Sequence, residues 1–217
     1  TMKTINTALI LIGMAMISTA KAQDNASEKV YYKDTETLPY SVEETLGENI
    51  EIRSYPEAIA VASRGNDDTG AFRLLFNYIS GANQASQELS MTSPVEMPTA
   101  SASTEIAMTS PVEMSSTQGM MFFLPNQFTA ENAPRPTHPD VELVVIDARR
   151  VASITYSGFN DNDKRNAYLN TLLKVLEDNS YRVSGNPSFL EYDAPFTLPW
   201  NKRHEVIIEV MSPPESD

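Results

Sequence analysis

Between Ile50 and Met211 the hydrophobic positions follow two rhythms, and the same succession of rhythms occurs twice. "IEIRSY" and "EAIAVASRG" are β-rich runs with partial alternation, separated by a turn at Tyr55-Pro56, and predict a pair of strands. Asn66-Asp67-Asp68-Thr69 then offers side chains that cap a helix N-terminus. Phe72, Leu75, Phe76 and Ile79 follow at i, i+3, i+4, i+7, the spacing of one helix face, and Gly81 closes the helix. In the second half "VELVVID" and "RRVASITYSG" predict strands, and Asn160 to Asp163 supplies the cap. Leu169, Leu172, Leu173 and Leu176 repeat the helical stripe at an offset of 97 residues. "SFLEYD" and "HEVIIEV" then read as closing strands. The recurrence predicts a pseudo-two-fold duplication of a strand–helix–strand unit.

The two helices differ in their outer faces. The second has a full polar side in Lys164, Arg165, Asn170, Lys174, Glu177 and Asp178. The first carries a second apolar set, Ala71, Leu74, Leu75 and Tyr78, leaving only Arg73, Asn77 and Ser80 as its polar stripe. A helix that apolar is either wholly buried or presents one side to a ligand or partner. The remainder of the chain frames this body. Residues 23–49 read as a polar lead-in, residues 50–211 as the domain, and Ser212 to Asp217 as a disordered tail.

The first 22 residues have the character of an export signal. Lys3 is a short positive region, Ala8 to Ile17 is an apolar run of ten residues, and Ala20-Lys21-Ala22 fits the cleavage rule. Ten residues are too few for a bilayer-spanning helix, which needs about 20. A cleavable signal peptide is therefore expected, with Gln23 first in a periplasmic or secreted protein that has no stable membrane insertion afterwards. Cleavage removes two lysines and no acid, moving the net charge from −13 to −15. Such acidity argues against nucleic acid and anionic membrane surfaces as partners. With no cysteine there is no disulfide, thiolate nucleophile or thiolate metal site. None of the common hydrolase, zincin, P-loop or dinucleotide motifs occurs, so a non-enzymatic role is expected.

The most distinctive stretch is "ELSMTSPVEMPTASASTEIAMTSPVEM", in which MTSPVEM occurs at Met91 and again at Met108. Pro94 and Pro111 lack a ladder donor and belong at a strand edge or bulge. The plain reading is two strands around a small polar connector, followed by a return strand in "MMFFLP". Six of the ten methionines lie between Met91 and Met121, and thioethers suit Cu(I), so a methionine-rich copper site is one alternative. Filling an irregular core is the other.

"EIAMTSPVEM" resembles the IAMT-x-PV signature of the SOUL haem-binding protein family. "IEIRSYPEAIAVAS", "FNYISGANQ", "FFLPNQF" with "APRPTHPDVEL", and "YDAPFTLPWNKRHEVIIEV" are similar to further segments of that family, in the same order. The resemblance implies an α+β fold, a distorted antiparallel β-barrel of two similar halves flanked by two long helices. It implies haem or a related tetrapyrrole, bound non-covalently on an apolar surface of the first helix with basic groups near the propionates. Carried over residue by residue, it implicates Arg73, Leu74, Leu75 and Tyr78, with Lys202, Arg203 and His204 from the closing stretch. His204 stands where the family commonly has asparagine, and is a candidate for haem iron or simply an exposed strand-end histidine. A binder of another amphipathic small molecule would use the same barrel. The doubled phrase is a departure from the family. Its second copy better matches the signature and leads directly into MMFFLP, so deletion of Met91–Ser103 is expected to leave a folded protein.

Overall fold

The computed structural model describes residues 30–63, 68–98, 119–194 and 196–211. Val30–Tyr32 (β1) and Thr35–Thr37 (β2) form a small hairpin, and Ser41–Gly47 (β3) leads into Ile50–Tyr55 (β4) and Ala58–Ser63 (β5). Asp68–Ile79 (α1) follows, then Val95–Pro98 (β6) and Met121–Phe123 (β7). The second half runs through Val141–Ile146 (β8), Arg149–Tyr156 (β9), Asn162–Asp178 (α2), Arg182–Val183 (β10), Ser188–Glu191 (β11) and His204–Met211 (β12). The lead-in expected over residues 23–49 is corrected by β1, β2 and β3. β3 is exposed along nearly its whole length and holds its place by backbone pairing to β4, with bulges on the way. A strand that buries neither face leaves no hydrophobic alternation to detect.

Antiparallel pairing builds one large sheet in the order β3-β4-β9-β12-β11-β6-β7-β5-β8, with β10 attached to β12. The predicted duplication is written in that order. Exchanging β4 with β8, β5 with β9, β6 with β11 and β7 with β12 reads the inner eight strands backwards, unchanged. The pseudo-two-fold axis passes between β11 and β6. Each half lends its first strand to the other, since β4 pairs with β9 and β8 pairs with β5. The result is an α+β fold, a curled, distorted antiparallel barrel flanked by two helices.

Strand alternation sorts the core into layers. Ile59, Val61 and Phe122 face α1, where they meet Leu75, Tyr78 and Ile79. Ile50, Ile52, Ala152, Ile154, Val206 and Ile208 face α2, where they meet Leu172 and Leu176. The opposite faces, with Ala60, Ala62, Met121, Phe123, Val151, Leu190 and Ile207, pack on one another inside the curl. Leu75 and Leu172, equivalent by the 97-residue offset, are both fully buried, and the equivalent pair Ile79 and Leu176 is buried too. Both helix ends follow the sequence. The Asp161 side chain accepts from the Lys164 backbone N–H at the start of α2, and Gly81 takes the left-handed conformation after α1.

The first copy of MTSPVEM is part of the sheet. The Thr92 hydroxyl donates to the Phe123 carbonyl, and the Ser93 N–H donates to the Glu36 carbonyl at 2.9 Å. Val95 and Glu96 pair with Phe122 and Met121, and on the other side with Glu191 and Leu190. The buried Glu96 carboxylate receives the Arg149 guanidinium at 2.6 and 3.2 Å. The expectation that this copy is partly dispensable therefore meets a strand next to the axis. The second copy, Met108–Met114, lies outside the described residues, as do residues 1–29 and 212–217, where a signal peptide and a tail are expected.

Candidate functional site

The two helices cover the outer faces of their own halves and leave the axis between them open. Over β6 and β11 the chain forms a cleft of about 580 Å³. Its apolar walls come from both halves: Phe72 on α1, Met91, Val95 and Met97 of the repeated phrase, Met120 before β7, and Phe196 in the loop after β11. Outward-facing Val95 and Met97 alternate with inward-facing Glu96, which explains how one short strand serves both cleft and core. The volume falls within the range of about 300–1,000 Å³ usual for small-molecule sites.

Four charged side chains share the lining, Arg165 of α2, Glu191 at the end of β11, Asp193 and Lys202. Both acids are already engaged. Glu191 accepts from Arg165 at 3.1 Å, lies 2.6 Å from His204 Nδ1, and also accepts from the Asn160 amide. Burial works to raise the Glu191 carboxyl, but His204, Arg165 and Asn160 outweigh it and hold it below the usual range. Asp193 is likewise held low against its burial by Lys33, the Arg203 backbone N–H and the Tyr32 hydroxyl. Two polar atoms at the cleft are buried without a partner among the described residues, Arg165 Nε and Ser93 Oγ. An anionic or hydrogen-bonding ligand group would satisfy them.

The residues implicated by the sequence separate into distinct places. Leu75 and Tyr78 belong to the core under α1, and the Tyr78 hydroxyl donates to the Pro134 carbonyl at 2.7 Å. Burial pushes that hydroxyl up to about 12. Arg73 is exposed on α1 and Leu74 is half-buried. Leu74 and Tyr78 line only a small depression of about 180 Å³ beneath the loop carrying Pro136 and His138, below the usual ligand range. The face of α1 that reaches the cleft is that of Phe72.

At the other end Lys202 lines the cleft, and Arg203 and His204 point to partners within the chain. Arg203 Nε donates to Glu205 at 3.0 Å, and its guanidinium lies 4.6 Å from the centre of the Tyr192 ring. His204 is 1% exposed, which corrects the reading of an exposed strand-end histidine. Its Nδ1 faces Glu191, and its Nε2 faces the Gly158 carbonyl at 3.0 Å. Both ring nitrogens thus meet oxygen acceptors. His138 is exposed, as its proline-rich loop suggests. Sequence reasoning missed Phe72, Met120, Arg165, Glu191 and Phe196, which come from separate segments. The available signal was the family phrase itself, whose first copy forms one cleft wall.

The fold agrees with comparisons to known proteins. The family model described as SOUL heme-binding protein matches residues 35–209, starting within the region read as lead-in. A search of curated proteins gives no match. Among solved structures, the fold resembles EcmrR in a cryo-EM complex with DNA, with a TM-score of 0.51 at 18% identity. That match covers 75% of this chain but 57% of the EcmrR chain. A hydrolase from Listeria innocua superposes with a TM-score of 0.52 at 11% identity, over 75% of this chain and 92% of that one. An uncharacterized conserved protein from the same organism gives 0.51 at 11% identity over the same shares. At such identities these likenesses speak for the fold alone.

Proposed function

Since the chain belongs to the SOUL heme-binding protein family, we propose that its central cleft binds haem or a related tetrapyrrole, as a non-enzymatic carrier, buffer or scavenger. One observation carries this reading: the signature phrase Met91–Met97 forms a wall of the cleft, with Lys202 and Arg165 also in its lining. A porphyrin needs a broad apolar face and cationic or N–H partners for its carboxylates. Phe72, Met91, Val95, Met97 and Met120 offer the first, and Lys202, Arg165 and Ser93 offer the second. A carrier role is supported by how the histidine beside the cleft is hydrogen-bonded. His204, the one histidine near the cleft, is held between Glu191 and a backbone carbonyl, a poor arrangement for a general base.

Titration of the purified protein with haemin, followed by visible absorption, tests this site. Met91→Glu and Phe72→Glu each place a carboxylate against an apolar ligand face and should lower affinity at least tenfold, by about 1.4 kcal/mol or more. Lys202→Ala should lower it by roughly 1–3 kcal/mol while leaving the Soret band shape unaltered, as it acts away from iron. Arg73→Ala, exposed on α1 and not among the residues that line the cleft, should leave affinity unchanged. Loss of binding in Arg73→Ala, with unaltered affinity in folded Met91→Glu, would move the ligand to the α1 surface. Three thioethers, Met91, Met97 and Met120, also meet in this cleft, so Cu(I) is the second reading. Uptake of Cu(I) by protein that shows no haemin spectrum would favour it.

We also propose export, on the strength of the N-terminal segment alone. Mass spectrometry of the native protein should find Gln23 as the first residue. A membrane-bound species that retains residues 2–22 would exclude cleavage.

A further inference from the structure

Beside the mouth of the cleft, two loops carry large apolar side chains into solvent. Phe159 stands on one, and Phe196, Leu198 and Trp200 stand on the other. Phe196 is 90% exposed, Phe159 75% and Trp200 69%. The loops are fastened together, because the Gly158 N–H donates to the Pro199 carbonyl at 2.9 Å. Phe159, Phe196 and Leu198 border a shared hollow. Turns closed by the N–H groups of Thr197, Asn201 and Lys202 fix the second loop, so the exposed groups are presented on a built element.

Their chemistry selects a partner. The chain has 29 acidic residues, yet none falls in Pro195–His204 or Ser157–Asn160. Cations gather there instead. Lys202 follows Trp200, the Lys164 ammonium donates to the Ser157 carbonyl at 2.7 Å, and the Lys33 ammonium, which also pairs with Asp193, donates to the Asn201 carbonyl at 3.1 Å. Exposed aromatic and leucine side chains flanked by lysine are the composition of an interfacial anchor, with rings among acyl chains and ammonium groups near lipid phosphates.

We propose that the two loops dock this protein on the surface of a lipid bilayer, with Phe159, Phe196, Leu198 and Trp200 inserted at the interface. Docking is peripheral. No helix among the described residues is long and apolar enough to cross a membrane. The net charge, −13 for the full chain and −15 after the proposed cleavage, opposes strongly anionic surfaces and favours neutral phospholipid. Phe196 also lines the cleft, so the docked orientation opens the ligand site toward the phase in which amphipathic, apolar molecules dissolve. Docking depends on the loops and not on the identity of that ligand.

Trp200 is the only tryptophan, so its emission reports on this loop directly. Ligand-free protein mixed with phosphatidylcholine vesicles should sediment with them and shift its emission to shorter wavelength. Phe159→Ser combined with Leu198→Ser should weaken partitioning by about tenfold or more, through lost apolar transfer, with thermal unfolding unchanged. Sedimentation and emission indifferent to vesicles would overturn the proposal, as would equal partitioning of the double variant. Emission already blue-shifted in the free protein would show the loops covered by the chain itself. A shift that grows with protein concentration alone would assign them to a second copy. Binding restricted to phosphatidylglycerol vesicles and abolished by salt would replace insertion with surface charge.

Discussion

Replacing Glu205 by alanine should destabilise the protein by about 3–5 kcal/mol, a large share of the roughly 5–15 kcal/mol that holds a domain together. Glu205 is fully buried on β12, inside the curl of the sheet. One carboxylate oxygen accepts from Arg53 at 2.9 Å and from the Tyr192 hydroxyl at 2.8 Å. The other accepts from Arg203 at 3.0 Å and from the Thr155 hydroxyl at 3.1 Å. Arg53 is itself 2% exposed, lies 4.3 Å from the centre of the Tyr40 ring, and has Glu51 as a further carboxylate partner. Removing Glu205 leaves that guanidinium out of water beside buried tyrosines, which is the expensive way to break a buried pair. A fall in melting temperature of about 10 °C or more is expected for a domain of this size. Exchanging both charges for apolar groups, Arg53→Met with Glu205→Leu, should recover part of the loss, with Arg203 still deprived of its carboxylate.

Acid provides an independent check on the same network. Burial pushes the Glu205 carboxyl upward, but Arg53 and Arg203 overcome it and hold it below the usual glutamate range. The unfolded chain therefore takes up this proton more readily than the folded one. The stabilisation from Glu205 is fully present at neutral pH and is lost as pH falls through the unfolded and then the folded value. Thermal unfolding across that window should show a steeper acid loss in the natural protein than in Glu205→Ala. Parallel curves, or a melting point within a few degrees of the natural one, would show that the network contributes little.

This network also marks the boundary of what sequence patterns disclose. Ile50 and Ile52 predict β4 and its outward face, and the structure packs both beneath α2. Arg53 sits on the alternate face, where one-dimensional alternation implies solvent, and is buried because its partner arrives from β12, 152 residues on. His204 misleads for a similar reason. It precedes an apolar run and looks exposed, yet pairing sets it opposite Glu191, the residue that encloses it. The helices were legible from their stripes, down to the equivalence of Leu75 with Leu172. Which side of α1 faces a ligand was not, because two overlapping apolar stripes leave the choice to the tertiary arrangement. Leu75 and Tyr78 went to the core and Phe72 to the cleft. The cleft itself straddles a symmetry axis, so its residues are separated in the chain by the length of the duplicated unit.

The doubled phrase should be interchangeable, and the transfer of one salt bridge between copies will show it. Glu96→Ala in the full chain strips Arg149 of its close carboxylate partner, leaving Glu209 at 3.9 Å, and should cost about 3 kcal/mol. Glu113→Ala, the equivalent change in the second copy, should fall within about 0.5 kcal/mol of the natural protein. Deleting Met91–Ala107, one full repeat spacing, sets Met108–Met114 directly after Ser90, so that Val112 and Glu113 stand where Val95 and Glu96 stood. Ser116 to Met120 then connect to β7, a length suited to a hairpin, and the shorter loop lowers closure entropy by about 1 kcal/mol. This shortened chain should fold and unfold cooperatively. Within it Glu113→Ala should now carry the penalty of about 3 kcal/mol that Glu96→Ala carries in the full chain. A shortened chain that fails to fold would tie β6 to the surroundings of the first copy. A full chain sensitive to Glu113→Ala and indifferent to Glu96→Ala would give the strand to the second.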